Sequence, residues 1–246
     1  MTSSLTLDSF NDLDRVFAIE GDAVRLHRGR GVVRILVGNT THFLKRYWFR
    51  PTRPFKRHVA LGFHELRMID WLPDSGFAGP RVVARGHSGV LFIRQRMFFL
   101  MEEIPGEAPL EATWVGNVKD RDSLVSELAR FAARLHDAGF VHTDFSERHI
   151  FVGRDAQQQT FRLIDLERAS VGRRTEPRAA ADLKTLAASV QDLQFRRIIE
   201  TDLIDEYVAR RRTLSPSVDF RALLERARPT RKFFPPRRAP ESTAWV

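Results

Sequence analysis

Two acids between residues 135 and 169 stand in surroundings that suit phosphoryl transfer. Asp144 lies in a short polar loop, His142-Thr143-Asp144-Phe145-Ser146-Glu147-Arg148-His149, between a helical segment ending near Gly139 and the apolar run Ile150-Phe151-Val152. Asp165 closes a second apolar run, Phe161-Arg162-Leu163-Ile164. Two adjacent strands in a hairpin would carry both carboxylates to one end of one cleft. Phosphoryl transfer uses such a pair: one carboxylate accepts the proton of the attacking hydroxyl, and another holds the Mg²⁺ that bridges the phosphates. The competing reading of the same residues is a β hairpin whose acids cap its turns.

The spacing matches the protein-kinase signature, in which a His-Arg-Asp loop is followed five residues later by a metal-binding Asn. His149 stands at that position here, and Asp165-Leu166-Glu167 replaces Asp-Phe-Gly. These departures exclude an ordinary protein kinase. The set His142-x-Asp144, His149-Ile150-Phe151-Val152 and Leu163-Ile164-Asp165-Leu166-Glu167-Arg168-Ala169 resembles the lipopolysaccharide kinases that phosphorylate heptose or Kdo of the inner core. The resemblance runs from about residue 24 to residue 190 and is specific only over 135–169.

It implies an α+β, protein-kinase-like two-lobed fold, with a small β-rich N-lobe, a larger helical C-lobe, and ATP and Mg²⁺ as cofactors. Asp144 would be the catalytic base, and Asp165 and His149 would face the metal. Mg²⁺ prefers oxygen, so the alternative for His149 is to donate a hydrogen bond and leave the metal to Asp165. Glu167 would add a carboxylate or pair with Arg168 or another basic neighbour. His142 reads as a structural loop residue.

The elements that must position these groups can be traced along the chain. Residues 1–22 read as an irregular lead-in, 23–104 as the nucleotide-binding lobe, 105–230 as the catalytic lobe and 231–246 as a basic tail. Ala23–Leu26 and Val32–Val37 read as strands, joined by His27-Arg28-Gly29-Arg30-Gly31, which is either a glycine-rich phosphate loop or a basic hairpin turn. His42–Phe49 is a further strand. Its period-two alternation puts Phe43, Lys45 and Tyr47 on one face and Leu44 and Arg46 on the other. That selects Lys45 over Arg46 as the residue placed like the lysine of Val-Ala-Ile-Lys, which contacts nucleotide phosphates.

Pro51–Pro54 reads as a linker, and Arg53, Lys56, Arg57 and His58 as a basic cluster. A helix is predicted over about 59–72, with Phe63, Leu66, Ile69 and Leu72 at helical spacing. Glu65 on it would pair with Lys45 in a kinase-like lobe, or stand as a solvated helix acid. Strands are predicted at 81–85, 90–95 and 97–104, the last ending at Pro105-Gly106, where backbone groups near Glu102 and Ile104 would bind adenine in a kinase-like fold. Residues 120–137 are the clearest helix, with Leu124, Leu128, Phe131 and Leu135 on one face and Gly139 as its stop. Helical segments follow at 179–191, with Asp182 and Leu186, at about 203–212 and at 218–228.

A chain of 246 residues without cysteine excludes a disulfide framework, thiolate metal sites and cysteine nucleophiles. No Walker loop, Gly-x-Ser-x-Gly elbow or His-Glu-x-x-His is present. Neither a membrane span nor a signal-peptide pattern is evident, so the expected location is cytoplasmic, extended to a peripheral place on the cytoplasmic face of the inner membrane. Of the net charge of +9, +7 falls from Arg168 onward. That surplus suits an anionic acceptor or an anionic membrane surface, and no nucleic acid is expected as partner. The leading function is ATP-dependent phosphorylation of a heptose or Kdo sugar of the lipopolysaccharide core. The alternatives are a weakly catalytic kinase-fold binding or regulatory protein and a kinase for another small molecule or protein.

Overall fold

The computed structural model describes residues 5–27, 29–48, 58–90, 93–104, 107–116, 121–155, 158–173 and 175–230. The linker at Pro51–Pro54, Arg53, Lys56 and Arg57 of the basic cluster, Pro105-Gly106 and the tail 231–246 lie outside the described residues. Contacts divide the chain into two units. The first holds everything up to Ala108 together with Ile150–Ala169; the second holds Pro109–His149 and the chain from Ser170 onward. Where the sequence was read as consecutive blocks, the hairpin after the 142–149 loop is therefore grouped with the N-terminal stretch.

The lead-in is not irregular. A 3-10 turn at Leu7–Phe10 is followed by helix α1 (Leu13–Ala18), which Asp12 caps by accepting from the N–H groups of Asp14 and Arg15. Its apolar residues are what the reading from acidic composition missed. Phe10, Val16 and Ile19 are buried against Val33, Ile35, Val37, Leu44, Phe98 and Leu100.

Alternating residues then build an antiparallel sheet in the order β1 (Asp22–His27), β2 (Arg30–Val37), β3 (Thr40–Trp48), β5 (Ile93–Glu102), β4 (Val82–Val90). β1 pairs with β2 up to His27 opposite Arg30, and Gly29 is at φ 100°. The three strands expected over 81–104 are two, because β5 runs on from Ile93 to Glu102 beside β3.

Leu44 points into the core that includes the N-terminal helical turns. Lys45 and Tyr47 take the opposite face, which packs on α2 (His58–Asp74). Of the apolar stripe expected on α2, Leu66, Ile69 and Leu72 are buried, while Phe63 is 42% exposed and meets His87 edge-on. The short strand β6 (Ala108–Pro109) comes before the hairpin of β8 (Ile150–Asp155) and β9 (Gln158–Leu163), registered with Ile150 opposite Leu163. After β9 a 3-10 turn, Leu166–Arg168, packs on α2.

The second unit is helical. It comprises α3 (Leu110–Gly116), α4 (Arg121–Asp137), α5 (Glu176–Ser189), α6 (Leu193–Ile198), a π turn at Ile199–Leu203, α7 (Ile204–Leu214) and α8 (Phe220–Arg226). α4 packs on α7, and α5 packs on α8. Leu124, Leu128, Ala132 and Leu135 form the buried stripe of α4. Truncating a leucine as enclosed as Leu128 typically costs about 2–5 kcal/mol. Gly139, at φ 80°, ends the helix by a turn that leads into β7 (Phe140–Val141), which pairs with β10 (Ser170–Val171). Among the described residues, no helix is long and apolar enough to cross a membrane.

Candidate active site

In the first unit the candidate residues gather where β3, α2 and the 3-10 turn meet. Lys45 lies on β3 between Val32 of β2 and Phe99 of β5, and is 8% exposed. Its Nζ lies 2.7 Å from Glu65 Oε1, 3.6 Å from Asp165 Oδ1 and 3.6 Å from Glu167 Oε1. An ammonium so deeply placed needs anionic partners to offset its desolvation, and it has three. The close pair with Glu65 fixes the amine; the two longer contacts are the ones an incoming anion would displace at least cost.

Asp165 adopts the left-handed backbone conformation, φ 58° and ψ 58°, unusual outside glycine and a common form of strain at functional sites. Its Oδ2 is also 3.8 Å from Arg25 Nη1. Oxygen donors of this kind suit Mg²⁺. Glu167 pairs with Arg30, the residue just after the β1–β2 turn, as well as with Lys45. The pairing with Arg168 or another basic neighbour thus resolves in favour of Arg30 and Lys45. Tyr47 places its hydroxyl 2.5 Å from Glu65 Oε2 and 3.0 Å from Glu167 Oε1. Burial and the adjacent Glu65 carboxylate raise the phenol well above its usual range, so it remains a donor.

Of the two residues expected near adenine, Glu102 donates its N–H to Arg81 O, and its carboxylate takes Arg81 Nη1 at 3.0 Å. Ile104 is half-buried just past the end of β5.

The second unit carries Asp144 and His149. Their loop is fixed by its backbone. Asp182 of α5, wholly buried, accepts from His142 N at 2.7 Å and from Thr143 N at 2.8 Å. Thr143 has φ 60°, so a strained residue immediately precedes Asp144. Its carbonyl accepts from Thr230 Oγ1 at 2.6 Å. On the other side of Asp144, Glu147 N donates to Ser189 Oγ at 3.1 Å. His136 Nε2 lies 3.5 Å from Asp182 Oδ2, and its Nδ1 lies 3.0 Å from Tyr207 Oη.

His149 Nδ1 is 2.9 Å from Asp144 O, a carbonyl, and can bond it only by donating. The neutral tautomer then carries its lone pair on Nε2, leaving that nitrogen as the ring's ligand atom. The same Nδ1 is 3.7 Å from Asp144 Oδ2, and the His142 ring stacks on His149 at 5.8 Å. His142 is fully buried, in keeping with a structural part. Glu147 is 2% exposed, and its carboxyl is pushed up to about 7 by burial and then by Glu111, against the pull of Arg148, Arg196 and the Gln191 N–H.

Each candidate thus lies within its own unit: Lys45, Glu65, Glu102, Ile104 and Asp165 in the first, Asp144 and His149 in the second. Sequence reasoning named Asp182 without giving it a role. A sharper signal was there, since Asp182 falls three residues after Ala179 and four before Leu186, on the stripe that α5 buries. Tyr47 and Arg30 were likewise named without a place in this network, and Arg25 stood only within a strand, because a basic hairpin gives no hint of where its side chains reach.

Three comparisons bear on these residues. The model of the lipopolysaccharide kinase (Kdo/WaaP) family matches residues 14–207. A solved structure described as WaaP in complex with acyl carrier protein is 26% identical, with a TM-score of 0.66, covering 87% of this chain and 89% of that one. A probable bifunctional tRNA threonylcarbamoyladenosine biosynthesis protein of Haloarcula marismortui is 37% identical over 91 residues, or 35% of this chain. The match spans only 16% of that relative's length. The antiparallel sheet unit and the helical unit make a kinase-like α+β fold of the WaaP type.

Proposed function

Because the chain belongs to the lipopolysaccharide kinase (Kdo/WaaP) family, we propose that it transfers the γ-phosphoryl group of ATP to a hydroxyl of a heptose or Kdo sugar in the lipopolysaccharide inner core. The observation that carries this reading is the buried Lys45–Glu65 pair at 2.7 Å with Asp165 at 3.6 Å. A lysine aimed by a helix glutamate beside a metal-holding aspartate is the arrangement that nucleotide phosphates require.

In this reading Lys45 neutralises phosphate oxygens and Glu65 holds it in place. Asp165 would hold Mg²⁺, with His149 Nε2 as a second ligand atom. When bound, the metal would offset the phosphates' negative charge. Asp144 orients the acceptor hydroxyl and takes its proton. Backbone groups at Glu102 and Ile104 would meet the adenine, the Glu102 N–H being already given to Arg81 O. The basic surplus from Arg168 onward suits an acceptor that bears carboxylates and phosphates and sits on an anionic lipid.

The test is ATP turnover by the purified protein with core oligosaccharide, deacylated and intact, followed by location of the added phosphate. The expected result is acceptor-dependent ADP formation with phosphate on a heptose or Kdo hydroxyl. Absence of turnover with both acceptors would overturn it. Co-sedimentation with anionic vesicles at low salt, lost at high salt, checks the membrane part, and duplex binding without vesicle binding would count against it.

A further inference from the structure

The first unit contains a polar network larger than a lysine–glutamate pair needs. Three carboxylates, Glu65, Asp165 and Glu167, meet three cations, Lys45, Arg25 and Arg30. One uncharged group, the hydroxyl of Tyr47, joins two of the carboxylates, at 2.5 Å from Glu65 and 3.0 Å from Glu167. Those two come from different elements: Glu65 from α2, Glu167 from the 3-10 turn that directly follows Asp165. Tyr47 itself is on β3, two residues beyond Lys45 and on the same face.

The surroundings are built to hold that ring still. Tyr47 is fully buried and stacks on Phe99 at 6.1 Å. α2 carries a glycine where the ring arrives. A Cβ on Gly62 would stand 2.7 Å from the Tyr47 ring and 2.9 Å from Met97 Sδ. A mid-helix glycine costs ~1 kcal/mol against alanine, so its presence here reflects the close approach. A second tie between the same two elements lies nearby, with His64 Nε2 at 2.6 Å from Ala169 O.

We propose that Tyr47 and Glu167 are positioning residues: the Tyr47 hydroxyl braces α2 against the turn after Asp165, so that Lys45 and Asp165 are aligned as one unit before any nucleotide arrives. Without the brace, Lys45 would retain Glu65 but lose the fixed distance to Asp165 and Glu167. Glu65 would also lose the donor to its second oxygen and rotate toward the amine. The hydroxyl has one proton, donated to Glu65 at 2.5 Å or shared with Glu167 at 3.0 Å, and Arg30 and Lys45 supply the positive charge beside Glu167. The consequence is a site whose lysine needs no separate movement of α2 to be aimed.

The inference rests on the ATP-kinase reading for its consequence, but not for its geometry. Three variants test it: Tyr47→Phe, which keeps the ring and removes the hydroxyl, Glu167→Gln, and the double variant. Two readouts separate the questions. Crystal structures of the nucleotide-free variants report the Lys45–Asp165 distance, and titration with Mg²⁺·ATP reports affinity beside kcat for the acceptor reaction.

The brace predicts that Tyr47→Phe releases Lys45 from Asp165 in the crystal and weakens Mg²⁺·ATP by ~10-fold, the value of one hydrogen bond to a charged group. It further predicts a kcat at saturating ATP that changes much less than affinity, and a double variant no weaker than the worse single one. A merely structural role would lower the melting temperature and leave the split between affinity and kcat unmoved. An unchanged Lys45–Asp165 distance and unchanged affinity in Tyr47→Phe, or additive losses in the double variant, would overturn the brace. If the wild-type protein binds no Mg²⁺·ATP, the ATP-kinase reading falls, and the crystal distances still decide the brace.

Discussion

In the sheet unit the candidate residues are held by one another; in the helical unit they are held by the backbone on which they sit. Lys45 is fixed through side-chain charges on Glu65, Asp165 and Glu167. The loop bearing Asp144 is fixed through main-chain N–H groups given to Asp182 and Ser189. A charge network shares its load, so removing one member exposes the rest to an uncompensated burial cost. A backbone scaffold leaves its side chains out of the load, so Asp144 can be changed with the loop intact. The two halves should therefore fail differently, by lost affinity in the first and by lost rate in the second.

The largest expected effect is on rate. Asp144→Asn keeps the size of the side chain and removes the proposed proton acceptor, so turnover should fall ~10²–10⁴-fold while Mg²⁺·ATP still binds. Asp165→Asn is the contrasting case, in which affinity for the Mg²⁺·nucleotide falls first. Measured kcat and Kd for the two variants break the comparison if Asp144→Asn loses affinity or if Asp165→Asn loses only rate. Next comes Asp182→Asn. It replaces a buried carboxylate that accepts two backbone N–H bonds, and should destabilise the protein by about 3 kcal/mol in urea unfolding. Turnover should fall with nucleotide affinity unchanged. A variant of full stability would show that the loop holds its shape without this acid.

The alternation of His42–Phe49 showed which of Lys45 and Arg46 faces α2, because a strand's period-two pattern survives in any fold. The loop 142–149 was equally visible, since its residue types and spacing carry the family resemblance. The kinase-like fold followed from that resemblance. The N-terminal turns were hidden, because their acids masked a helix whose cap is one of those same acids, Asp12. Asp182 was hidden because its partners are backbone N–H groups more than three dozen residues away, which no side-chain pattern records. The grouping of Ile150–Ala169 with the N-terminal stretch depends on long-range contacts and has no local signal at either boundary.

A smaller effect probes the sheet unit by shape alone. Gly62→Ala adds a Cβ 2.7 Å from the Tyr47 ring, and an overpacked core site of this kind loses about 1–3 kcal/mol. Because the displaced ring carries the hydroxyl joined to Glu65 and Glu167, the loss should appear in nucleotide affinity as well as in the melting temperature. Gly76→Ala serves as the control. Gly76 is at φ 78° with no atom within 4 Å of an added Cβ, so it should cost stability through backbone strain and leave affinity alone. Equal affinity losses in both would remove the distinction between packing at the network and packing elsewhere.

The last prediction concerns a charge dependence of the helical unit's own, at Glu147. Its carboxyl is raised from 4.5 to about 7, first by burial and then by the neighbouring Glu111. A raised folded-state value means that between about 4.5 and 7 the folded protein binds a proton the unfolded chain has released, so stability is greatest below 4.5 and falls as pH rises through 7. With Arg148 and Arg196 already opposing it, the net displacement corresponds to about 3 kcal/mol. Glu147→Gln removes the titration and keeps the shape. The variant should match the wild type near pH 4.5, exceed it in stability at pH 8, and unfold in urea with a flatter pH profile between the two. Identical pH profiles for Glu147→Gln and the wild type would show that the carboxyl keeps its ordinary range, and that the loop bearing Asp144 is held by its backbone bonds alone.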